Sequence, residues 1–100
     1  MDTVFIDTAA RSRYELHVAG DGDDADGELV GLIAYHLEGD VITLIHTEVL
    51  PAFSGQGHAS TLARGALDDA RARGLEVVPS CPYVAAYITK HPEYADLVRA

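Results

Sequence analysis

Ala59, Leu62, Ala63, Ala66, Leu67 and Ala70 fall at i, i+3, i+4, i+7, i+8 and i+11, an unbroken apolar stripe on one face of a helix predicted over residues 57–73. A stripe made mostly of alanine brings a helix close to whatever it packs against, and the flanking segments make that partner a sheet. Residues 28–37 are apolar and β-favouring, and Glu38-Gly39-Asp40 turns them into residues 41–49. There Val41, Thr43, Ile45, Thr47 and Val49 alternate with Ile42, Leu44, His46 and Glu48, so the two segments read as an antiparallel hairpin. Pro51 closes it. On the outer face of the helix Arg64 with Asp68, and Asp69 with Arg73, stand i,i+4; Arg71 and Arg73 suit the dipole of the last turn, and Gly74 is placed to cap it. Residues 75–78 are a short apolar strand ended by Pro79. Ser80-Cys81-Pro82 then has the form of a cap followed by proline in the first turn of a second helix, residues 82–90, with Tyr83 and Tyr87, and Val84 and Ile88, at i,i+4 before Pro92 stops it. Upstream, Tyr14, Leu16 and Val18 alternate with Glu15 and His17 in another strand; before residue 13 only Val4-Phe5-Ile6 is apolar, too short to assign. The order β-β-β-α-β-α predicts an α/β (α+β) domain over residues 1–100, with a mixed, mostly antiparallel sheet and two helices.

Charge narrows the function. The net charge is −9, from 16 acids and 7 bases, and no Lys or Arg stands between Tyr14 and Ala63, where nine acids fall. Nucleic-acid binders rely on Lys and Arg to displace counterions from phosphates, and anionic membranes repel this sign, so neither partner is expected. No apolar run approaches the 18 or so residues of a membrane span, and Met1-Asp2-Thr3 lacks the basic start of a secretion signal. The single cysteine, Cys81, has no internal partner. A soluble, cytoplasmic protein is the expectation. The acidic turn at residues 19–27 resembles a calcium loop until it is aligned, when Gly22 falls on the first ligand position and Ile33 on the bidentate one. The histidines, His17, His36, His46, His58 and His91, form no i,i+4 pair, and no metal is expected.

The loop Ser54-Gly55-Gln56-Gly57-His58-Ala59 joins a strand to a helix N-terminus, where glycines let the backbone approach a ligand and the unpaired N–H groups of the first turn favour an anion. The competing reading is a turn that needs two flexible residues. A Walker-type loop requires a lysine that is absent here, and a dinucleotide fingerprint requires a third glycine where Ser60 stands.

A hairpin followed by Pro-x-Phe-x-Gly-x-Gly-x-Ala and a helix resembles the acyl-CoA pyrophosphate loop of the GNAT N-acetyltransferase superfamily, usually Arg/Gln-x-x-Gly-x-Gly/Ala. Gly57 and Ala59 take the small positions, and Ser54 stands where Arg or Gln is usual. With His46-Thr47-Glu48-Val49, residues 79–87 and His91-Pro92-Glu93-Tyr94, the chain from Tyr14 onward is similar to a small, single-domain GNAT-like family. That resemblance implies a minimal fold binding acetyl-CoA where the strand ending at Val49 splays from the strand ending at Pro79, held by Val49, Ser54, Gly55, Gln56, Gly57, His58, Ala59 and Ser60. It further implies that the helices usually building the acceptor pocket are missing.

Cys81 opens a helix, where the dipole favours its thiolate, and a base at His46 would make it a nucleophile that carries the acetyl group. The competing reading is a small buried thiol and a histidine bonded to backbone. Acetyl transfer also proceeds directly, with Glu48 or His46 deprotonating an amine and a backbone N–H near Val49 polarising the carbonyl. The resemblance places Tyr87 as the acid for the departing CoA thiolate, against a plain packing role beside Val84 and Ile88; Tyr83 is weaker. The acidic half suggests a cationic amine acceptor. The alternative function is a CoA-binding or partner-binding module that has lost turnover.

Overall fold

The alanine stripe does what its spacing predicts: Leu62, Ala63, Ala66, Leu67 and Ala70 are all fully buried. The computed structural model describes residues 2–19 and 27–99, so most of the acidic turn at 19–27, with its rejected calcium loop, lies outside the described residues. In chain order the elements are β1 (Thr3–Thr8), β2 (Arg13–Val18), β3 (Leu29–Glu38), β4 (Val41–Val49), α1 (His58–Ala72), β5 (Glu76–Pro79) and α2 (Pro82–Lys90). Single 3-10 segments follow β1, β4 and α2, the last at Pro92–Leu97. One five-stranded sheet runs β1-β2-β3-β4-β5, antiparallel except for the parallel pair β4 and β5 that α1 bridges. Tyr14, Leu16, Ile33, Ile42, Leu44 and Val77 of the sheet meet the α1 stripe and Val84, Tyr87 and Ile88 of α2 in one core. Among the described residues no helix is long and apolar enough to cross a membrane.

The sheet has one strand more than the sequence predicts, and the order is β-β-β-β-α-β-α. Val4-Phe5-Ile6 lacks the length of an independent strand; β2 supplies the pairing, and α1 supplies the burial. Phe5 stacks on Tyr14 with ring centroids 5.2 Å apart and presses on the helix where Gly65 leaves room, so close that a Cβ there would lie 2.7 Å from the ring. A polar seam fixes α1 to the same strands. Tyr14 donates to Asp69 at 2.7 Å, Tyr35 donates to Asp7 at 2.6 Å, and Arg73 joins Asp69 at 3.0 Å to Asp7 at 3.2 Å. The Asp69–Arg73 pair is therefore made as predicted. The Arg64–Asp68 pair is not: Asp68 accepts the Tyr94 hydroxyl at 2.7 Å, and Arg64 has no ion-pair partner among the described residues.

Glu15 is the one buried carboxylate among the described residues of the sheet, 7% exposed, clamped along its own strand by Arg13 and by His17 Nε2 at 2.8 Å. Burial alone would raise its pKa, but His17 and Arg13 outweigh that and hold the carboxyl below its ordinary 4.5. A depressed folded value means that the unfolded chain takes up the proton first, so this contribution is complete above about 4.5 and is lost as pH falls below it. Glu15→Gln should lower the melting temperature at pH 7 and flatten its decline in acid. Parallel wild-type and variant melting curves from pH 7 to pH 3 would refute this assignment if they kept a constant separation.

Candidate active site

Parallel pairing between β4 and β5 stops at Leu44 and Pro79, yet β4 runs on for five residues to Val49. No described strand covers the β5-side edge of that extension, so backbone groups near Val49 are available to an extended ligand. The carbonyl of Leu44, the last paired residue, accepts the Cys81 N–H at 2.8 Å and seats the start of α2 against the strand.

At the same point β4 carries a bulge. Ala34 faces His46 and Tyr35 faces Leu44, which leaves Ile45 as an extra residue, 48% exposed. One inserted residue exchanges the two faces of everything after it. Without it, His46 and Glu48 would share the buried face of Ile42 and Leu44. With it, Thr47 and Val49 take that face while His46 and Glu48 point outward, exposed, with His46 Nε2 3.3 Å from Glu48 Oε1. Thr47 Oγ1 instead lies 3.2 Å from Cys81 Sγ. The fold thus brings Cys81 to Thr47 rather than to His46, and the cysteine–histidine pairing expected from the sequence is not made. The physical reason is the bulge, which no glycine or proline announces. Thr47 itself carries no signal in the sequence beyond strict alternation, which separates it from His46 and Glu48.

Cys81 is 4% exposed and caps α2 with extended backbone. Burial pushes its thiol up, but the Thr47 hydroxyl, together with the backbone N–H groups of Val84, Tyr83 and Thr47, outweighs that and leaves it below the ordinary value. Two turns along α2, Tyr87 is buried by its ring, which stacks on His91 at 4.1 Å and tilts against Tyr94 at 6.2 Å, while its hydroxyl bonds no described residue. Packing and an available hydroxyl coexist there. Tyr83 is 40% exposed.

The loop ahead of α1 is shaped by two left-handed residues, Gly55 at φ 78° and Gly57 at φ 81°. A Cβ at either would meet nothing within 4 Å, so glycine is required by backbone conformation and the space above it is open. Gly57 is the N-cap, no side chain caps the helix, and the Thr61 N–H donates to the Gly57 carbonyl at 3.3 Å as the helix begins. The N–H groups of His58, Ala59 and Ser60 are left pointing outward. The side chains around them turn away. Ser54 Oγ donates to the Pro51 carbonyl at 3.0 Å, and His58 is buried, its ring edge-on to Phe53 at 6.2 Å and 3.4 Å from Gln56 Oε1. His58 therefore offers its N–H rather than its imidazole. An uncapped helix end, open space over two glycines and Arg64, which has no ion-pair partner among the described residues, suit an anionic group.

Comparison with known proteins speaks to the family and the fold. The pattern of the GCN5-related N-acetyl-transferase family matches residues 13–97. A GCN5-like candidate N-acetyltransferase from Staphylococcus aureus has a similar solution structure, with a TM-score of 0.64 at 21% identity over 89% of this chain and 82% of that one. A ribosomal-protein-alanine N-acetyltransferase from Brucella melitensis biovar Abortus 2308 superposes with a TM-score of 0.51 at 24% identity, over 90% of this chain and 66% of that longer one. Both structural likenesses are likenesses of fold.

Proposed function

This chain belongs to the GCN5-related N-acetyl-transferase family, and from that premise we propose that it takes an acetyl group from acetyl-CoA and delivers it to a cationic amine. The observation that carries the reading is the open edge of β4 between Leu44 and Val49, with the Cys81 sulfur at one end and the uncapped N-terminus of α1 at the other. Acetyl-CoA, as co-substrate, supplies an activated thioester carbonyl. Backbone near Val49 takes its extended arm, and the N–H groups of His58, Ala59 and Ser60, with Gly55 and Gly57 leaving room, take its phosphates; Ser54 and Gln56 shape the loop. Cys81 accepts the acetyl group from the thioester and Tyr87 gives a proton to the departing CoA thiolate; in the direct route an amine attacks the thioester itself and His46 or Glu48, exposed on the outer face, takes its proton.

The residues holding the ligand, Val49 to Ser60, include no Lys or Arg, so charge pairing rests on the helix dipole and Arg64. Millimolar CoA should raise the melting temperature by about 10–20 °C where its Kd lies a hundredfold below that concentration, since such a ligand adds about 2.7 kcal/mol and 1 kcal/mol moves a domain of this size by about 4–8 °C. The rise should shrink in Arg64→Ala and at high salt. No rise at millimolar CoA rejects the reading. One observation favours the second function, a CoA-binding module without turnover: Ser54 commits its hydroxyl inside the loop where the family usually has Arg or Gln. CoA binding with no acetylation across a panel of amines would select it.

A further inference from the structure

We propose that Thr47 is the positioning residue for the Cys81 thiol, holding the sulfur toward the β4 edge with its hydroxyl, in the place where the sequence reading expected His46 as a base. This rests on the reading of Cys81 as acetyl acceptor. Three contacts fix the geometry, two from β4 and one within α2. The Cys81 N–H is bound to the Leu44 carbonyl at 2.8 Å on β4, its carbonyl accepts the Ala85 N–H at 3.0 Å within α2, and Sγ lies 3.2 Å from Thr47 Oγ1. With the backbone pinned on both sides, only rotation about the Cα–Cβ bond remains to the thiol, and the Thr47 hydroxyl, with the N–H groups of Thr47, Tyr83 and Val84, selects the rotamer. Thr47 is half-buried, opposite Ile33 in the sheet, and the bulge at Ile45 turns it toward α2. As the thiol ionises it can only accept, so the Thr47 hydroxyl then donates to the sulfur, and the positive end of α2 faces it from the other side. The thiolate needs no imidazole beside it.

The test is the pH dependence of Cys81 alkylation by iodoacetamide, followed by intact mass. A buried thiol reacts slowly, but the midpoint of the profile is independent of access. Thr47→Val keeps the shape of the side chain and removes the hydroxyl. The midpoint should rise, and alkylation at pH 7 should slow roughly threefold to tenfold, because the thiolate population well below its midpoint falls about tenfold when that midpoint moves up by one pH. Thr47→Ser should restore the wild-type profile. Thr47→Ala provides a second removal should the valine variant fold poorly, with the same upward movement expected. A wild-type profile in both Thr47→Val and Thr47→Ala overturns the proposal, as does a midpoint moved by His46→Ala but by neither of them. The acceptor role beneath it is tested separately: absence of an acetyl adduct on wild-type Cys81 after acetyl-CoA removes that role, whatever the alkylation profiles show.

Discussion

Cys81→Ala should lose acetylation of an amine acceptor by on the order of a hundredfold or more, and should carry no acetyl mass after incubation with acetyl-CoA, whereas the wild type acquires one on Cys81. Removing the nucleophile of a covalent route leaves only binding and polarisation of the carbonyl. The expectation follows from what surrounds the sulfur: burial at 4% exposure disfavours the thiolate, and Thr47 with the first turn of α2 outweighs that burial. The side chain lost is small, so the variant should fold, and a melting-temperature rise with CoA in that variant would locate the defect in chemistry rather than in binding. If Cys81→Ala transfers acetyl at the wild-type rate, the direct route holds instead, and His46→Ala or Glu48→Gln should then be the damaging change. The fold makes these alternatives separable, since the bulge at Ile45 puts the His46–Glu48 pair and the thiol on opposite faces of β4.

The same bulge marks where the sequence stops being readable. The α1 helix is legible because its apolar spacing and alanine content are local properties, and its observed bounds, His58–Ala72, lie within a residue of those expected. The hairpin and α2 are legible for the same reason: Gly39 turns the one at φ 59°, and Pro82 opens the other. β1 is not, because the burial of Phe5 depends on Gly65, sixty residues away, and on a strand it must pair with first. Nor is the face of His46. Alternation read straight through residues 41–49 sets His46 beside Leu44, and one extra residue at a position with no glycine, proline or charge reverses it. The failure of the Arg64–Asp68 pair is equally hidden: Asp68, at the i,i+4 position, is claimed by Tyr94 from the C-terminal 3-10 segment. Local patterns thus place the secondary structure and the loop, while the pairing of side chains across the site depends on register and on distant tertiary contacts.

Gly31→Ala should destabilise the protein by about 2–3 kcal/mol, and with it the cleft, because overpacking a closed core typically costs about 1–3 kcal/mol and relief here has no easy direction. A Cβ on Gly31 would lie 2.5 Å from the Glu48 carbonyl oxygen, 3.2 Å from the Val49 Cα and 3.1 Å from the Leu62 side chain. The nearest of these is backbone, so no rotamer change clears it; β3 and β4 must separate at the pair Gly31 and Val49, where the proposed ligand edge begins. A fall of about 8–24 °C in melting temperature is expected, with CoA stabilisation reduced at temperatures where the variant is still folded. Gly39→Ala is the control: that glycine is left-handed at φ 59° but has nothing within 4 Å, so only backbone strain of about 1 kcal/mol should appear, with CoA stabilisation intact. Combining Gly31→Ala with Leu62→Ala separates the two sources of crowding. If the double variant regains the stability of Leu62→Ala alone, the helix side chain is the obstacle and β3 and β4 tolerate a methyl group; continued loss places the obstacle at the Glu48 carbonyl, and ties the glycine of β3 to the backbone geometry of the proposed acetyl-CoA edge.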